Sequence, residues 1–187
     1  MKKQLAKILK ILAILILGIL FLALLFLAAK KIYGFYLENK YPLNYREIIE
    51  KYSAEFQIDP SFTSAVIYEE SRFRTKSNSN KGAVGLMQLL PETADYIAKK
   101  TNDTDFKIED LNKSEKNIQY GCYYLNYLFE KYQDWDKVLA AYNAGEGNVD
   151  QWLNEGDYQI KFDETKNFVE RVRNSQKIYN RLYFEKK

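Results

Sequence analysis

The sequence predicts a mostly α-helical domain with a small β element, preceded by one transmembrane helix. Between residues 45 and 182, apolar side chains recur every three or four residues in most segments, which is the spacing of one helix face. A short apolar run bracketed by Gly82 and Gly85 is where short strands are expected. Near the N-terminus, residues 11–29 contain no charged side chain. Together these features predict an α+β fold class with a large helical majority.

The uncharged segment 11–29 predicts the membrane helix. At about 1.5 Å per residue, about 19 residues nearly span a hydrocarbon core of about 30 Å. Four lysines precede the segment and two follow it, which predicts that the N-terminus lies inside the cell. The alternative, a cleaved signal peptide, normally has an apolar core of about 7 to 15 residues, and Leu27-Ala28-Ala29 is a weak cleavage site. We therefore expect residues 1–32 to form a cytoplasmic tail and a single-pass anchor in the cell membrane, residues 33–43 a juxtamembrane linker, and residues 44–187 an extracytoplasmic domain.

The helices of the domain are predicted from apolar spacing and from the residues at their ends. Asp59 and Pro60 give the second of them an N-cap and a favourable first position. Ser114 is expected to cap a long helix, and Gly145 to end a shorter one. The polar residues 101–113 predict a loop or a short helix. The predicted helices cover about residues 45–57, 60–73, 91–100, 115–132, 135–143, 149–153 and 163–182.

Composition excludes several classes of function. The chain contains no histidine, which rules out a Ser-His or Cys-His nucleophile pair and the usual zinc sites. The single cysteine, Cys122, lies in an aromatic helical stretch and is interpreted as a small buried hydrophobe, so no intramolecular disulfide is expected. The net charge is only +3, with basic and acidic residues interspersed, and we expect no nucleic-acid partner. We also expect no metal and no cofactor.

Three blocks of residues resemble the motifs of one enzyme family. The blocks are Glu70-Ser71-x-Phe73 with Ser79, Gly82-Ala83-x-Gly85-Leu86-Met87-Gln88 and Pro91-x-Thr93-Ala94; then Ala141-Tyr142-Asn143-Ala144-Gly145; then Glu164-Thr165-x-x-Phe168-Val169. In this order and spacing they resemble the catalytic domain of the soluble lytic transglycosylases, which have a lysozyme-like fold and cleave peptidoglycan. The resemblance covers roughly residues 44–184.

Two adjacent carboxylates, Glu69 and Glu70, stand near the end of the second helix of the domain. Cleavage of a glycoside needs a carboxylic acid to protonate the leaving oxygen, and an apolar setting that raises the pKa toward about 6 to 7 favours this role. Helical periodicity places Glu69 nearer the centre of the apolar stripe and Glu70 at its edge. Periodicity alone therefore does not select the acid.

The resemblance implies which residues carry the chemistry. Glu70 matches the family's acid, which is the Glu directly before Ser, and one such Glu is thought to act first as an acid and then as a base on the C6 hydroxyl of the muramyl unit. The implied product is a 1,6-anhydro-N-acetylmuramyl sugar. Phe168 stands where the family usually has a Tyr whose hydroxyl donates a hydrogen bond to the acid. The other implied substrate-binding residues line the groove, with Ser79 and Gln88 offering hydrogen bonds to the glycan or to the acid: Ser79, Met87, Gln88, Tyr142 and Asn143.

Two other functions stay open at this point. A muramidase-like hydrolase of the same fold would use a second carboxylate, such as Asp59, Glu92 or Glu146, to position water. A non-catalytic glycan-binding protein would instead hold a secretion or conjugation assembly in the cell wall, although binding alone does not require an intact Glu70. The expected partners are peptidoglycan strands, the membrane through the N-terminal helix and, in the last case, such machinery.

Overall fold

The computed structural model describes residues 2–77, 79, 82–156 and 158–185, and the chain divides between Pro42 and Leu43 into two compact units. The first unit consists largely of one helix, α1 (Lys2–Lys40), which is long and apolar enough to cross a membrane. Its apolar side chains are exposed along the segment 11–29, as a surface that contacts lipid requires. The helix continues to Lys40, through most of the residues that were expected to form a linker.

The second unit is helical, as predicted. Among the described residues none belongs to a β-strand, and the β element is a single antiparallel bridge between Val84 and Leu89. Residues 101–113 contain a short 3₁₀-helix, Ile108–Asn112, and a π-helical turn, Asn180–Phe184, follows the last helix. The α-helices are α2 (Arg46–Glu55), α3 (Pro60–Ser71), α4 (Pro91–Thr101), α5 (Ser114–Tyr132), α6 (Trp135–Ala144), α7 (Glu146–Asn154) and α8 (Asp163–Tyr179).

The ends of α3 follow the local sequence. Asp59 caps the helix as predicted, because its Oδ1 accepts a hydrogen bond from the Ser61 N–H at 2.7 Å, and Pro60 is the first helical residue. At the other end Arg72 adopts a left-handed conformation (φ 53°), which stops the helix after Ser71. The helix therefore presents its last turn, with both glutamates, at a defined position.

The prediction that Ser114 caps α5 is wrong. Ser114 is the first residue of the helix, and the extended Lys113 occupies the N-cap position without a side-chain hydrogen bond. The helix starts one residue early because the Lys113 carbonyl already accepts the Asn117 N–H at 3.0 Å. Between α6 and α7, Gly145 has φ 90°, and this conformation lets α7 begin at Glu146 rather than three residues later.

Helix α3 is buried on almost every side. All residues from Ser61 to Tyr68 are buried, and α3 packs more extensively against α8 than any other pair of helices does. Helix α6 packs against α5, α7 and α8, and α2 lies against both α3 and α5. The last turn of α3 is consequently held beside α8 in the interior of the domain.

Asn117 of α5 fixes the bridged turn at residues 84–89. Its buried side chain accepts a hydrogen bond from the Met87 N–H at 2.7 Å, and it donates to the carbonyls of Val84 and Leu111 at 2.9 Å each. Gly85 (φ 83°) lies against this amide, and a Cβ at Gly85 would lie 2.2 Å from Asn117 Nδ2. The position therefore requires glycine both for its backbone conformation and for space.

Candidate active site

Glu70 lies in the last turn of α3, beside α8. Burial is the main reason that the pKa of its carboxyl group rises above the ordinary value of 4.5, to about 8; the Arg171 guanidinium opposes the rise, and the carboxylates of Glu69 and Glu164 add to it. No hydrogen bond or ion pair joins this carboxyl group to another residue in the described part of the chain. Glu70 is therefore mainly protonated at neutral pH, which is the state that a general acid needs.

Glu69 has different surroundings. Its side chain is only 4% exposed, and its carboxylate oxygens accept from three side chains. Arg72 Nη2 and Arg171 Nε lie 3.1 and 3.2 Å from Oε2, and Ser175 Oγ donates to Oε1 at 2.6 Å. Since these oxygens are already occupied by donors, the arrangement favours Glu70 over Glu69 as the proton donor, a choice that periodicity left open.

Tyr142 and Met87 join α6 to the bridged turn. The Tyr142 hydroxyl donates to the Met87 carbonyl at 2.6 Å. The Met87 side chain is fully buried and packs on Gly121 of α5, where a Cβ would lie 2.1 Å from the sulfur. Burial and then the charge of Glu70 raise the pKa of the Tyr142 hydroxyl well above its ordinary value, so this hydroxyl lies within electrostatic range of the acid.

Ser79 and Gln88 lie in the loop between α3 and α4. The exposed Ser79 accepts a hydrogen bond at its Oγ from the Ala83 N–H at 3.1 Å. The amide nitrogen of Gln88 donates to the carbonyls of Ser77 and Gly85 at 2.7 and 2.8 Å. The Gln88 amide nitrogen thus stabilises the loop by linking the backbone at Ser77 to that at Gly85.

Asn143 and Phe168 connect α6 and α8 with the site. The Thr165 hydroxyl donates to Asn143 Oδ1 at 2.8 Å, which ties the end of α6 to the first turn of α8. Phe168 is 2% exposed and lies one helical turn from both Glu164 and Arg171, whose charges act on the acid. Phe168 therefore lies on the face of α8 that is turned toward the end of α3.

These contacts bring together the three blocks that are separate in the sequence. The Tyr142–Met87 hydrogen bond joins the second block to the first, and the Asn143–Thr165 hydrogen bond joins the second to the third. Just outside the blocks, Glu69 of α3 contacts Arg171 and Ser175 of α8, which holds the helix that carries the third block against the helix that carries Glu70. The acid stands directly next to the last of these contacts.

The carboxylate whose charge acts on Glu70 from another helix is not one of the three that the sequence suggested as a second carboxylate. Asp59 caps the opposite end of α3, about 16 Å along the helix from Glu70, whereas inverting glycosidases separate their carboxyl groups by about 6.5 to 9.5 Å. Glu146 is bound to a lysine of α5 at 3.0 Å, and Glu92 lies in the first turn of α4. Glu164, which sequence reasoning did not single out as a second carboxylate, is the one on α8 whose charge acts on the acid.

Residues 2–77, 79, 82–156 and 158–185 contain no group of three or more side chains of the types that hold a metal ion. Cys122 is fully buried, and burial raises the pKa of its thiol to about 12. Because the thiolate is the nucleophilic form, this thiol is not a nucleophile at neutral pH.

Four residues support the site without having been predicted from the sequence. They are Asn117, Gly121, Arg171 and Ser175. A glycine inside a predicted helix was an available signal for Gly121, because glycine costs about 1 kcal/mol relative to alanine there and needs a packing reason. Arg171 and Ser175 gave no local signal, since their role arises only when α8 packs on α3.

Comparison with known proteins places this arrangement in context. Residues 47–165 match the family of transglycosylase SLT domains. The soluble lytic murein transglycosylase of Salmonella typhimurium is 32% identical over 149 residues, covering 73% of this chain and 23% of that protein. The membrane-bound lytic murein transglycosylase F of Desulfosudis oleivorans is 35% identical over 112 residues, covering 56% and 23%. The crystal structure of the 70 kDa soluble lytic transglycosylase of Escherichia coli aligns with a TM-score of 0.75 at 30% identity, covering 80% of this chain and 26% of that one. The chain spans about a quarter of the length of these proteins.

Proposed function

Because the chain belongs to the family of transglycosylase SLT domains, we propose that it is a lytic transglycosylase that cleaves the β-1,4 bond between N-acetylmuramic acid and N-acetylglucosamine in peptidoglycan. The observation that carries the proposal is the state of Glu70, a buried carboxyl group with a pKa of about 8 at the point where the three sequence blocks converge. Such a group holds a transferable proton at neutral pH.

One carboxyl group completes the proposed reaction. Glu70 gives its proton to the glycosidic oxygen as the bond from that oxygen to C1 of the muramyl unit breaks. The resulting carboxylate then accepts the proton of the C6 hydroxyl while O6 attacks C1. The product is a 1,6-anhydro-N-acetylmuramyl end, no water is consumed, and Glu70 is protonated again for the next cycle.

The remaining site residues position the glycan in this proposal. Ser79, on the exposed part of the loop, and Asn143, at the end of α6, offer polar groups to the sugar. The Tyr142 hydroxyl, which lies within electrostatic range of Glu70, holds the Met87 carbonyl in place. Gln88 keeps the loop in the shape that this requires, and Phe168 contributes an apolar wall from α8.

A hydrolase is the second candidate, and Glu164 is the observation that favours it. This exposed carboxylate acts electrostatically on the acid from the first turn of α8. In a hydrolase it would direct a water molecule to C1, and the product would be a reducing end rather than an anhydro end. The two reactions therefore differ by one water in the mass of the product.

Helix α1 is proposed to anchor the chain in the cell membrane as a single span, with the domain outside. The helix is long and apolar enough to cross, membrane-bound transglycosylases occur among the relatives, and the lysines before the apolar run favour an inside N-terminus. Protease added to cells whose wall has been opened should digest the chain beyond Tyr33. Protection of that region would contradict the orientation.

The test of the activity is digestion of purified sacculi by the full chain in detergent micelles, followed by mass spectrometry of the products. Anhydro-muropeptides are expected from the wild type, and none from Glu70→Gln, whose amide keeps the shape of the side chain without the transferable proton. Reducing ends would establish the hydrolase. Retained glycan binding without cleavage at any pH would establish a binding protein and overturn both enzymatic readings.

A further inference from the structure

Glu69, Arg72, Arg171 and Ser175 form a polar cluster directly beside Glu70, and the proposed mechanism does not use it. The Glu69 carboxylate and Ser175 are buried, whereas the side chains of Arg72 and Arg171 are about half exposed. The cluster is centred on the carboxylate of Glu69, which accepts hydrogen bonds from all three partners. Arg72 follows α3 and stacks over the Tyr68 ring, with its guanidinium carbon 3.9 Å from the ring centre. Arg171 and Ser175 come from α8, one turn apart. The cluster thus spans the interface between the two most extensively packed helices.

Arg171 is the member of the cluster that matters for Glu70. Its Nε lies 3.2 Å from Glu69 Oε2, yet within the described residues it forms no ion pair with Glu70, although its charge still acts on that carboxyl group. Glu69 and Glu70 are adjacent in the chain and lie in the same helical turn. Both carboxylates are therefore candidate partners for one guanidinium, and Glu69 is the one that binds it.

Binding of Arg171 by Glu70 would have a chemical cost. A carboxylate that pairs with a guanidinium stays ionised over a wide pH range and has no proton to give. An ionised Glu70 would leave the glycosidic oxygen without its acid. The enzyme therefore benefits if Arg171 is held elsewhere.

We propose that Glu69 is a positioning residue for Glu70: it binds Arg171 and, together with Ser175, keeps that guanidinium away from Glu70, which stays neutral and able to donate its proton. This inference rests on the proposed role of Glu70 as the acid. It assigns a function to the carboxylate that the family motif leaves out.

In the described part of the chain, the other charged and titratable groups that act on Glu70 come from three helices. On α3 it is Glu69, on α8 they are Arg171 and Glu164, and on α6 it is the Tyr142 hydroxyl, which is neutral at neutral pH. Arg171 and Glu164 are both exposed, so water screens both charges, but Arg171 is the one whose position is fixed by an ion pair with Glu69. Arg171 also has the largest effect of any charge on the pKa of Glu70, and its contact with Glu69 is therefore the one to alter.

The inference predicts opposite effects of two substitutions on the full chain in detergent micelles. With Glu69→Gln, Arg171 is released toward Glu70, and the alkaline limit of cleavage should move down by about 1 pH unit or more. With Arg171→Met the limit should move up. Arg173→Met is the matched control, because Arg173 lies on the same helix and pairs with Asp136 at 2.6 Å, away from the acid; its pH profile should match the wild type.

The double variant separates action through Arg171 from direct repulsion between the two glutamates. Because the Glu69 charge also acts on Glu70 directly, some effect of Glu69→Gln remains without Arg171; if Glu69 acts mainly by holding Arg171, that effect should be much smaller in the Arg171→Met background than in the wild type. If the same downward shift persists in that background, the inference is overturned. Glu69→Gln should also cleave at near the wild-type rate at pH 5, and inactivity at every pH despite a folded domain would instead make Glu69 the acid and overturn it.

A readout that does not need cleavage keeps this test separate from that of the function. Carbon-13 NMR of the glutamate carboxyl groups, with the Glu70 signal assigned by its absence in Glu70→Gln, follows the titration of Glu70 directly. Its midpoint should fall in Glu69→Gln and rise in Arg171→Met, and an unchanged midpoint in both overturns the inference. Absence of cleavage by the wild type, with these midpoint shifts present, would overturn the proposed function alone.

Discussion

Burial without a charged partner sets Glu70 apart from the other carboxyl groups of the domain. Hydrogen bonds from Lys116, Lys113 and Lys131 hold the pKa values of Asp103, Asp110 and Asp150 below their ordinary range. Within the described residues, Glu70 is the carboxyl group whose pKa is raised. While it is protonated, a buried carboxyl group destabilises the folded state little, but its ionisation in this environment is unfavourable.

This cost predicts a pH-dependent stability. The pKa of Glu70 is about 8 in the folded state against an ordinary value of 4.5, so between these two pH values the folded state binds a proton that the unfolded state releases. This proton stabilises the folded state fully below about pH 4.5, and its contribution is lost as the pH rises through about 8. Glu70→Gln cannot ionise and should be more stable than the wild type at pH 9 by a few kcal/mol, at about 1.4 kcal/mol per pKa unit, but about equally stable at pH 5. Urea unfolding at both pH values measures the difference. A difference between Glu70→Gln and the wild type that is the same at both pH values would contradict the assigned state.

Among the structural elements, the bridged turn at residues 84–89 depends most on a distant partner. Its two bridge hydrogen bonds join Val84 to Leu89, and Gln88 and Ser77 add local ones. The support from outside the loop comes from Asn117, about thirty residues further along the chain, and from Tyr142 of α6. A turn of this size has too few contacts of its own to hold a fixed shape. The shape of the turn is therefore set largely by its contacts with α5 and α6.

Two glycines with similar backbone conformations test this dependence. Gly82 and Gly85 have φ values of 81° and 83°, so alanine at either position incurs a similar conformational cost of about 1 to 2 kcal/mol. At Gly85 the new methyl group also collides with the Asn117 amide and the Leu111 carbonyl, whereas no described atom lies within 4 Å at Gly82. Gly85→Ala should therefore destabilise the domain by about 1 to 3 kcal/mol more than Gly82→Ala, as measured by urea unfolding. Equal losses would show that the turn moves away from α5 without cost.

Helix α8 also carries the departure from the family pattern at Phe168. A tyrosine there would place a hydroxyl on the face of α8 that is turned toward the acid, and a hydrogen bond to the carboxylate would stabilise its charged form. Phe168→Tyr is thus expected to move the alkaline limit of cleavage to lower pH and, below that limit, to raise the rate by roughly tenfold to a hundredfold, from a hydrogen bond of about 1.5 to 3 kcal/mol. Phe168→Leu should lower stability more than it alters the pH profile. If the Tyr variant keeps both rate and profile, position 168 does not contact the acid.

The elements that sequence reasoning located are those whose signals are local. Asp59 and Pro60 act on their own helix, and apolar spacing or residues typical of helix ends indicated every α-helix of the domain. Ser114 shows the limit, because a cap depends on which carbonyl first accepts a helical hydrogen bond, and that carbonyl belongs to Lys113. The hydrogen-bond partners of Glu69 could not be predicted from the residues near it in the sequence, because two of the three lie more than 100 residues away on α8.

At the scale of the whole molecule, the domain from Leu43 onward obtains its stability without an intramolecular disulfide. It has about 145 residues, enough for a single core of ordinary size, and one cysteine, so no disulfide contributes. The fully buried side chains come from most of its helices, with α3, α5 and α6 contributing most of them. Folding of the domain is therefore independent of the redox state of its surroundings.

Labelling of the buried Cys122 in the wild-type chain can measure how often the domain opens. Cys122 is fully buried, so a thiol reagent reaches it, and finds it as a thiolate, only when the core around it opens. The labelling rate therefore measures how often the native domain opens. Labelling at pH 7 should be slower than that of an unfolded control by a factor of about 1,000 or more, given the usual stability of domains of this size. Rapid labelling without denaturant would contradict the core described here.

The same thiol extends to measurements on the intact cell wall. A ligand that binds only the closed domain reduces the open fraction by the factor 1 + [L]/Kd, so glycan binding slows the labelling in proportion. Glu70→Gln, which is expected to bind without cleaving, would thus report its occupancy on sacculi while embedded in a membrane, with no dye or engineered label. Labelling of Cys122 can therefore be compared between the wild type, which is expected to cleave the glycan, and Glu70→Gln, which is expected only to bind it.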